Sequence, residues 1–297
     1  MTEAERLVLD PITLLLMVDI GAEHLLGLLP KKPVMTPQAA WQLFDWWYEL
    51  ERHHRGTAGH AATTANGELV IIPVTAQQRR SVQAFWQRVW DTISQHIELV
   101  EPPPLTNPDL HNCIPLVGTA VISGMALAAA QGWAYVTEEG MLVAVGKHIA
   151  NAKVGCLHRL FAIGAAHGWW RPSQALGLMA TLIRHGWSWV SFPVSMIRTA
   201  LRLPAPQRLK MVELLLRQIK KSEPAVAVRT LFDLLRDVDK NIYPDVDPSR
   251  LRKLVVECLP SGLPREVRTR ITQDFARRHP SRIHRASRRR LERWASD

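Results

Sequence analysis

The feature that most restricts this fold is an alternation of short apolar runs with helical segments. Leu7–Val8–Leu9 is halted by Asp10–Pro11 and reads as a buried strand. Thr13–Leu29 has apolar residues on most faces and is predicted as one helix, largely inside the protein. Val34–Met35–Thr36 is a second short strand. Thr36–Pro37 then opens a helix, with threonine as N-cap and proline in the first turn. Further extended runs are Ile97–Val100, Trp133–Thr137, Val154–Leu157 and Trp187–Phe192. Between and after them lie helices predicted over Ala76–His96, Val117–Ala130, Met141–Ala152, Phe161–His167, Pro172–His185 and Val194–Leu203. Strands separated by helices make βαβ units, so the expected class is a three-layer α/β body with a central, mainly parallel sheet. One antiparallel element interrupts it. Asn66–Gly67, between His60–Thr64 and Leu69–Val74, is a type I′ hairpin signal.

Pro204–Pro206 marks an expected boundary, giving an α/β domain over residues 1–204 and a helical region over 205–297. Past the boundary come helices over Gln207–Lys221, from Ser222–Glu223–Pro224 to about Asn241, and after the Asp247–Pro248 cap pair. The charge divides at the same place. Residues 1–204 hold 15 Lys+Arg and 15 Asp+Glu, whereas 205–297 hold 22 and 12, so the net charge of +10 lies wholly in the last third. Such asymmetry points to a polyanionic partner. Arg277, Arg278, Arg282, Arg285, Arg288, Arg289 and Arg290 form a run suited to an RNA or DNA backbone. The same run also reads as a solvated helix end, or as a surface that docks on an acidic protein.

Several classes are excluded or disfavoured. A chain that is 47% hydrophobic and 22% charged is globular rather than disordered. Cys113, Cys156 and Cys258 lack CxxC spacing, so free buried thiols in a reducing cytoplasm are expected rather than disulfides or a zinc knuckle. The acidic start, MTEAERLVLD, is not a signal peptide. Asn112–Thr137 has no formal charge, but Pro115, Gly118, Gly124 and Gly132 punctuate it, so it reads as buried core with no membrane partner. No GxGxxG, phosphate loop or GxSxG motif is present. His53, His54 and His60 have no metal-binding spacing and read as surface residues. Trp41, Trp47, Trp86 and Trp90 fall on apolar helical faces and are expected in the core. Trp46, Trp169 and Trp170 fit the core less easily, and an exposed Trp beside Arg171 could stack on a base.

Five stretches, in order, carry a family resemblance: LVLDPITLLLMVDIGAEHLLGLLP, NGELVIIPVT, IELVEPPPL, ISGMALAAAQGWAYVTEEGMLVAVG and PSQALGLMATLIRHGWSWVSFPVSMIRTAL. Together they span most of residues 6–202 and resemble a PIN-like domain of the long bacterial variety with a hairpin insertion. The resemblance implies a metal-dependent nuclease acting on RNA or single-stranded DNA, with carboxylates at strand ends holding Mg²⁺ or Mn²⁺. Asp10 matches the first acid, and Glu138–Glu139 stand where the family has paired aspartates. The acid expected on the helix after Thr36–Pro37 has no clean match. Gln42 is nearest, with Asp45 and Glu49 further along. The acid expected at the start of the Val117 helix is missing. Asp10, Glu138, Glu139 and Asp45 are thus the candidate ligands. Asp10 could equally be an N-cap, and Glu138–Glu139 a solvated turn. The missing acids imply a second possibility, a degenerate module that binds nucleic acid or protein without cutting, as a scaffold in a larger assembly such as one for phage defence.

Overall fold

The computed structural model describes residues 6–56, 59–63, 69–73, 75–186, 194–221, 223–240, 242–243, 245–260, 262–278 and 285–296. The side chains of residues 53–74, 205–206, 278 and 286 are not among those described. The chain forms two compact units, Met1–Leu160 and Phe161–Asp297. The boundary expected near Pro204 falls inside the second.

In the first unit the elements run β1 (Leu7–Leu9), α1 (Pro11–Asp19), β2 (Val34–Met35), α2 (Pro37–Gly56), the hairpin β3 (Gly59–Thr63) and β4 (Leu69–Pro73), and α3 (Ala76–His96). They continue as β5 (Glu98–Leu99), α4 (Pro108–Val117), α5 (Thr119–Gln131), β6 (Ala134–Val136), α6 (Gly140–His148), β7 (Lys153–Gly155) and the start of α7 (Leu157–Ala166). Five strands form one sheet in the order β5-β2-β1-β6-β7, and every pairing is parallel. The hairpin stands apart as a two-stranded sheet, antiparallel as expected. Its Asn66–Gly67 turn lies outside the described residues.

β1 is the central strand, and Leu7, Val8 and Leu9 are all buried, which is why this run shows no polar alternation. In register, Val8 pairs with Tyr135 and Leu9 with Val136. Beneath β1 and β6 packs α5, buried continuously from Ala120 to Ala128. That burial accounts for the uncharged stretch, and no helix among the described residues is long and apolar enough to cross a membrane.

Two departures have local causes. The single helix expected over Thr13–Leu29 ends at Asp19, because Gly21 takes φ 72° and a 3-10 turn over Glu23–Leu28 follows. The helix expected over Val117–Ala130 is α5, starting two residues later, and an unexpected helix, α4, precedes it and meets it at Gly118 with φ 88°. In α4, Asn107 is the N-cap and its side chain accepts from the Asp109 and Leu110 amides at 2.9 and 3.4 Å.

In the second unit the described secondary structure is helical: α8 (Pro172–Arg184), α9 (Val194–Leu201), α10 (Ala205–Ile219), α11 (Pro224–Asp239), α12 (Pro248–Glu257), α13 (Arg265–Arg278) and α14 (Arg285–Ser296). The strand expected over Trp187–Phe192 lies outside the described residues. Several cations here are structural. Arg198 meets Asp237 at 2.6 Å, and Arg252 meets Asp239 at 2.9 Å. Buried Arg268 donates to the Trp294 carbonyl at 2.7 Å.

Candidate functional site

Asp10 ends β1 and starts α1. Its amide donates to the Val136 carbonyl at 3.1 Å, which fixes the chain at the carboxyl edge of the sheet. Its side chain is fully buried and committed on both oxygens. Oδ1 accepts from the Tyr135 hydroxyl at 2.9 Å, and Oδ2 caps α1 by accepting from the Thr13 amide at 3.4 Å. Tyr135 can reach because β6 lies beside β1 in register, and because Gly124 of α5 leaves room for its ring. A Cβ at Gly124 would lie 2.7 Å from Tyr135 Cε2.

The two acids after β6 part company. Glu138 is buried and accepts from the Leu157 amide at the start of α7. This corrects the solvated-turn alternative for Glu138. Glu139 is the N-cap residue of α6 but makes no side-chain cap bond, so its carboxylate is not used for capping. Instead it lines a cavity of about 220 Å³ together with Asp10 and Gln42. Gln42 presents a buried Oε1 that has no hydrogen-bond partner among the described residues. Asp45 is exposed on α2 and does not line this cavity; Gln42, one turn earlier, does. Among the described residues, no three His, Cys, Asp or Glu side chains gather as a group that could hold a metal.

The electrostatics are those of carboxylates in short supply of positive charge. Burial pushes Asp10 up to about 6, against the pull of the Tyr135 and Thr13 hydrogen bonds, and the Glu139 charge adds to the rise. Burial likewise pushes Glu138 up to about 7; the Leu157 amide opposes this and Asp10 reinforces it. Tyr135 is held well above its ordinary value by burial and by Asp10, so it stays a neutral donor. None of the described residues lining the cavity is cationic. Nearby, Cys156 Sγ lies 3.2 Å from His158 Nε2. Burial, then Glu138, raises that thiol to about 11, and burial lowers His158 to about 4, so neither is charged near neutrality.

With the parallel sheet and the acids at its carboxyl edge in view, the comparison with known families is decisive for the fold. A family model described as the PIN domain associated with the TPR-GreAB-C-PIN system matches residues 8–148. The chain carries a PIN-like domain. No curated protein and no solved structure matches it. The matched stretch of the PIN-like domain holds Asp10, Gln42, Glu138 and Glu139, and it ends just before β7, which completes the sheet.

The arginine run lies outside the matched part. Arg277, Arg285, Arg288 and Arg289 are exposed, and Arg290 is half-buried. Arg277 pairs with Asp274 at 3.4 Å and Arg288 with Glu292 at 3.0 Å, while Arg290 donates to the Ser249 carbonyl at 3.2 Å. Arg282 and the Arg278 side chain lie outside the described residues, as do the side chains of His53, His54 and His60. Lys253, Arg290 and Arg293 share a cleft of about 460 Å³ with Trp294. The tryptophan expectations divide. Trp86 is buried as expected, whereas Trp41 is 63% exposed, because helical spacing fixes a face but not whether anything covers it. Trp170 is buried, with its indole donating to the Phe161 carbonyl at 2.9 Å. Trp46 sequence reasoning left unplaced. It follows Gln42 by four residues, and that spacing puts both on one helical face.

Proposed function

We propose that the PIN-like domain is a metal-dependent nuclease that cuts RNA or single-stranded DNA. One observation carries the reading: Asp10 and Glu139, delivered from the ends of adjacent parallel strands, line one cavity with the unpartnered Gln42 carbonyl. The donor set fits a hard divalent cation such as Mg²⁺ or Mn²⁺, since all three groups offer oxygen and no soft ligand competes. Asp10 and Glu139 would hold the ion, with Gln42 Oε1 as a third donor. Bound there, it would neutralise charge and activate water at a phosphodiester. The chain's own residues do the rest. The Tyr135 hydroxyl orients Asp10, and Glu138 anchors the start of α7 rather than binding metal. Arg277, Arg278, Arg282, Arg285, Arg288, Arg289 and Arg290 supply phosphate contacts. The three free cysteines fit a cytoplasmic protein, and the matched family's description suggests a TPR- or Gre-containing protein partner in a larger assembly.

A second reading has its own support. With an amide where a third carboxylate would stand, the site is poorer in charge than a divalent ion prefers, which favours a module that binds without cutting. A Mn²⁺ titration of cleavage on generic RNA and single-stranded DNA, with Asp10→Asn as control, separates the two. Cleavage that needs Mn²⁺ and is lost in Asp10→Asn is the expected result. Equal cleavage by the variant would remove the nuclease reading, and no cleavage at any Mn²⁺ concentration would leave the binding module.

A further inference from the structure

Large, exposed apolar side chains also line the carboxylate cavity. Trp46, Leu116 and Met141 are 36%, 76% and 56% exposed, and all three line the cavity that holds Asp10, Gln42 and Glu139. A single exposed apolar side chain is ordinary on any protein surface. Here three large ones come from three separate helices, α2, α4 and α6, and meet around one opening. Among the described residues that line it, none carries a positive charge, so this wall is not built to grip the backbone of a nucleic acid. It suits instead a flat, neutral group with apolar faces. An indole face and a methionine thioether both pack well on an aromatic ring. Trp46 also sits one helical turn from Gln42, on the same face of α2, and both line the cavity.

We infer that Trp46, Leu116 and Met141 clasp one unstacked nucleobase next to the scissile phosphate. This rests on the nuclease reading and adds a positioning device to it. A base can enter the clasp only when splayed out of a strand, so duplex is rejected and a base-free position is handled poorly. The metal site then acts on the phosphate that the clasped base brings with it.

The test uses the full chain and a labelled single-stranded RNA of about ten nucleotides, compared with the same oligomer made abasic throughout. Affinity is measured in Ca²⁺, and cleavage in Mn²⁺. Wild type should bind the intact oligomer about tenfold more tightly, Trp46→Ala should abolish that preference, and Trp46→Phe should keep most of it. Met141→Ala should weaken the preference without changing affinity for the abasic oligomer. Equal affinity for both oligomers, or no binding of either, overturns the clasp. Equal cleavage of both in Mn²⁺ also overturns it and leaves the nuclease reading standing. Base-dependent binding through Trp46 without cleavage keeps the clasp and removes the nuclease.

Discussion

Asp10→Asn removes a charge from a side chain with no solvent exposure while preserving its shape. In the folded protein Asp10 titrates at about 6, against an ordinary value of 3.8. The folded state therefore holds this proton more tightly than the unfolded chain. Stability falls as pH rises through that window, and the full cost persists above it. At about 1.36 kcal/mol per pH unit the cost near neutrality is ~3 kcal/mol. Asparagine escapes it but must turn its amide donor toward either the Tyr135 hydroxyl or the Thr13 amide, a loss of about 1 kcal/mol. The variant should thus be more stable than wild type by ~2 kcal/mol near pH 7.5, in the absence of divalent ions. That is a melting rise of roughly 4–8 °C for a unit of this size. Around pH 4 wild-type Asp10 is protonated in the folded state and only about 60% ionised in the unfolded chain, so the cost shrinks to ~0.5 kcal/mol and the advantage should vanish or reverse. Thermal unfolding at the two pH values in EDTA checks this; the Asp10 charge also raises Glu138, so its removal relieves that residue too and adds to the gain near neutrality. Adding Mn²⁺ should stabilise wild type and not the variant. A variant no more stable than wild type near neutrality, or a difference independent of pH, would refute the argument.

Gln42→Glu supplies the missing carboxylate. It should raise Mn²⁺ affinity about tenfold or more, read by calorimetry, while lowering stability without metal; unchanged affinity would show that position 42 does not face the ion. Gly124→Ala should cost about 1–3 kcal/mol in denaturant unfolding and reduce cleavage, because its Cβ would displace the Tyr135 ring that orients Asp10. Replacing Arg288 and Arg289 by Gln should weaken binding to single-stranded RNA and flatten the salt dependence by about 1.4 in slope, with circular dichroism unchanged; an unaltered slope would discard these two contacts.

The α/β frame was legible because its strands are apolar throughout, as in Leu7–Leu9 and Ala134–Val136, and because cap residues such as Thr36, whose hydroxyl accepts from the Ala39 amide, mark helix starts. Helix α4 was missed although Asn107–Pro108 announces it, since Pro115 inside the helix hides the periodicity. Asp10 and Glu139 could be found in the sequence because the family resemblance places acids where each of them follows a strand. The division of labour between Glu138 and Glu139 could not. It depends on whether a helix amide, that of Leu157, waits on one side, and no spacing along the chain encodes that. Tyr135 was likewise invisible as a site residue, because its partnership with Asp10 exists only through the register of β1 on β6.

The side chain of Asp10 both opens α1 and faces the cavity, and this bears on how relatives should be read. A descendant that stopped cutting would still be selected to keep a capping side chain here, but asparagine would serve and would escape the cost of a buried charge. A cap at position 10 therefore testifies to folding, and the charge of aspartate there to chemistry. Glu139 has no such second employment, so position 139 is where surrender of the activity would first be written.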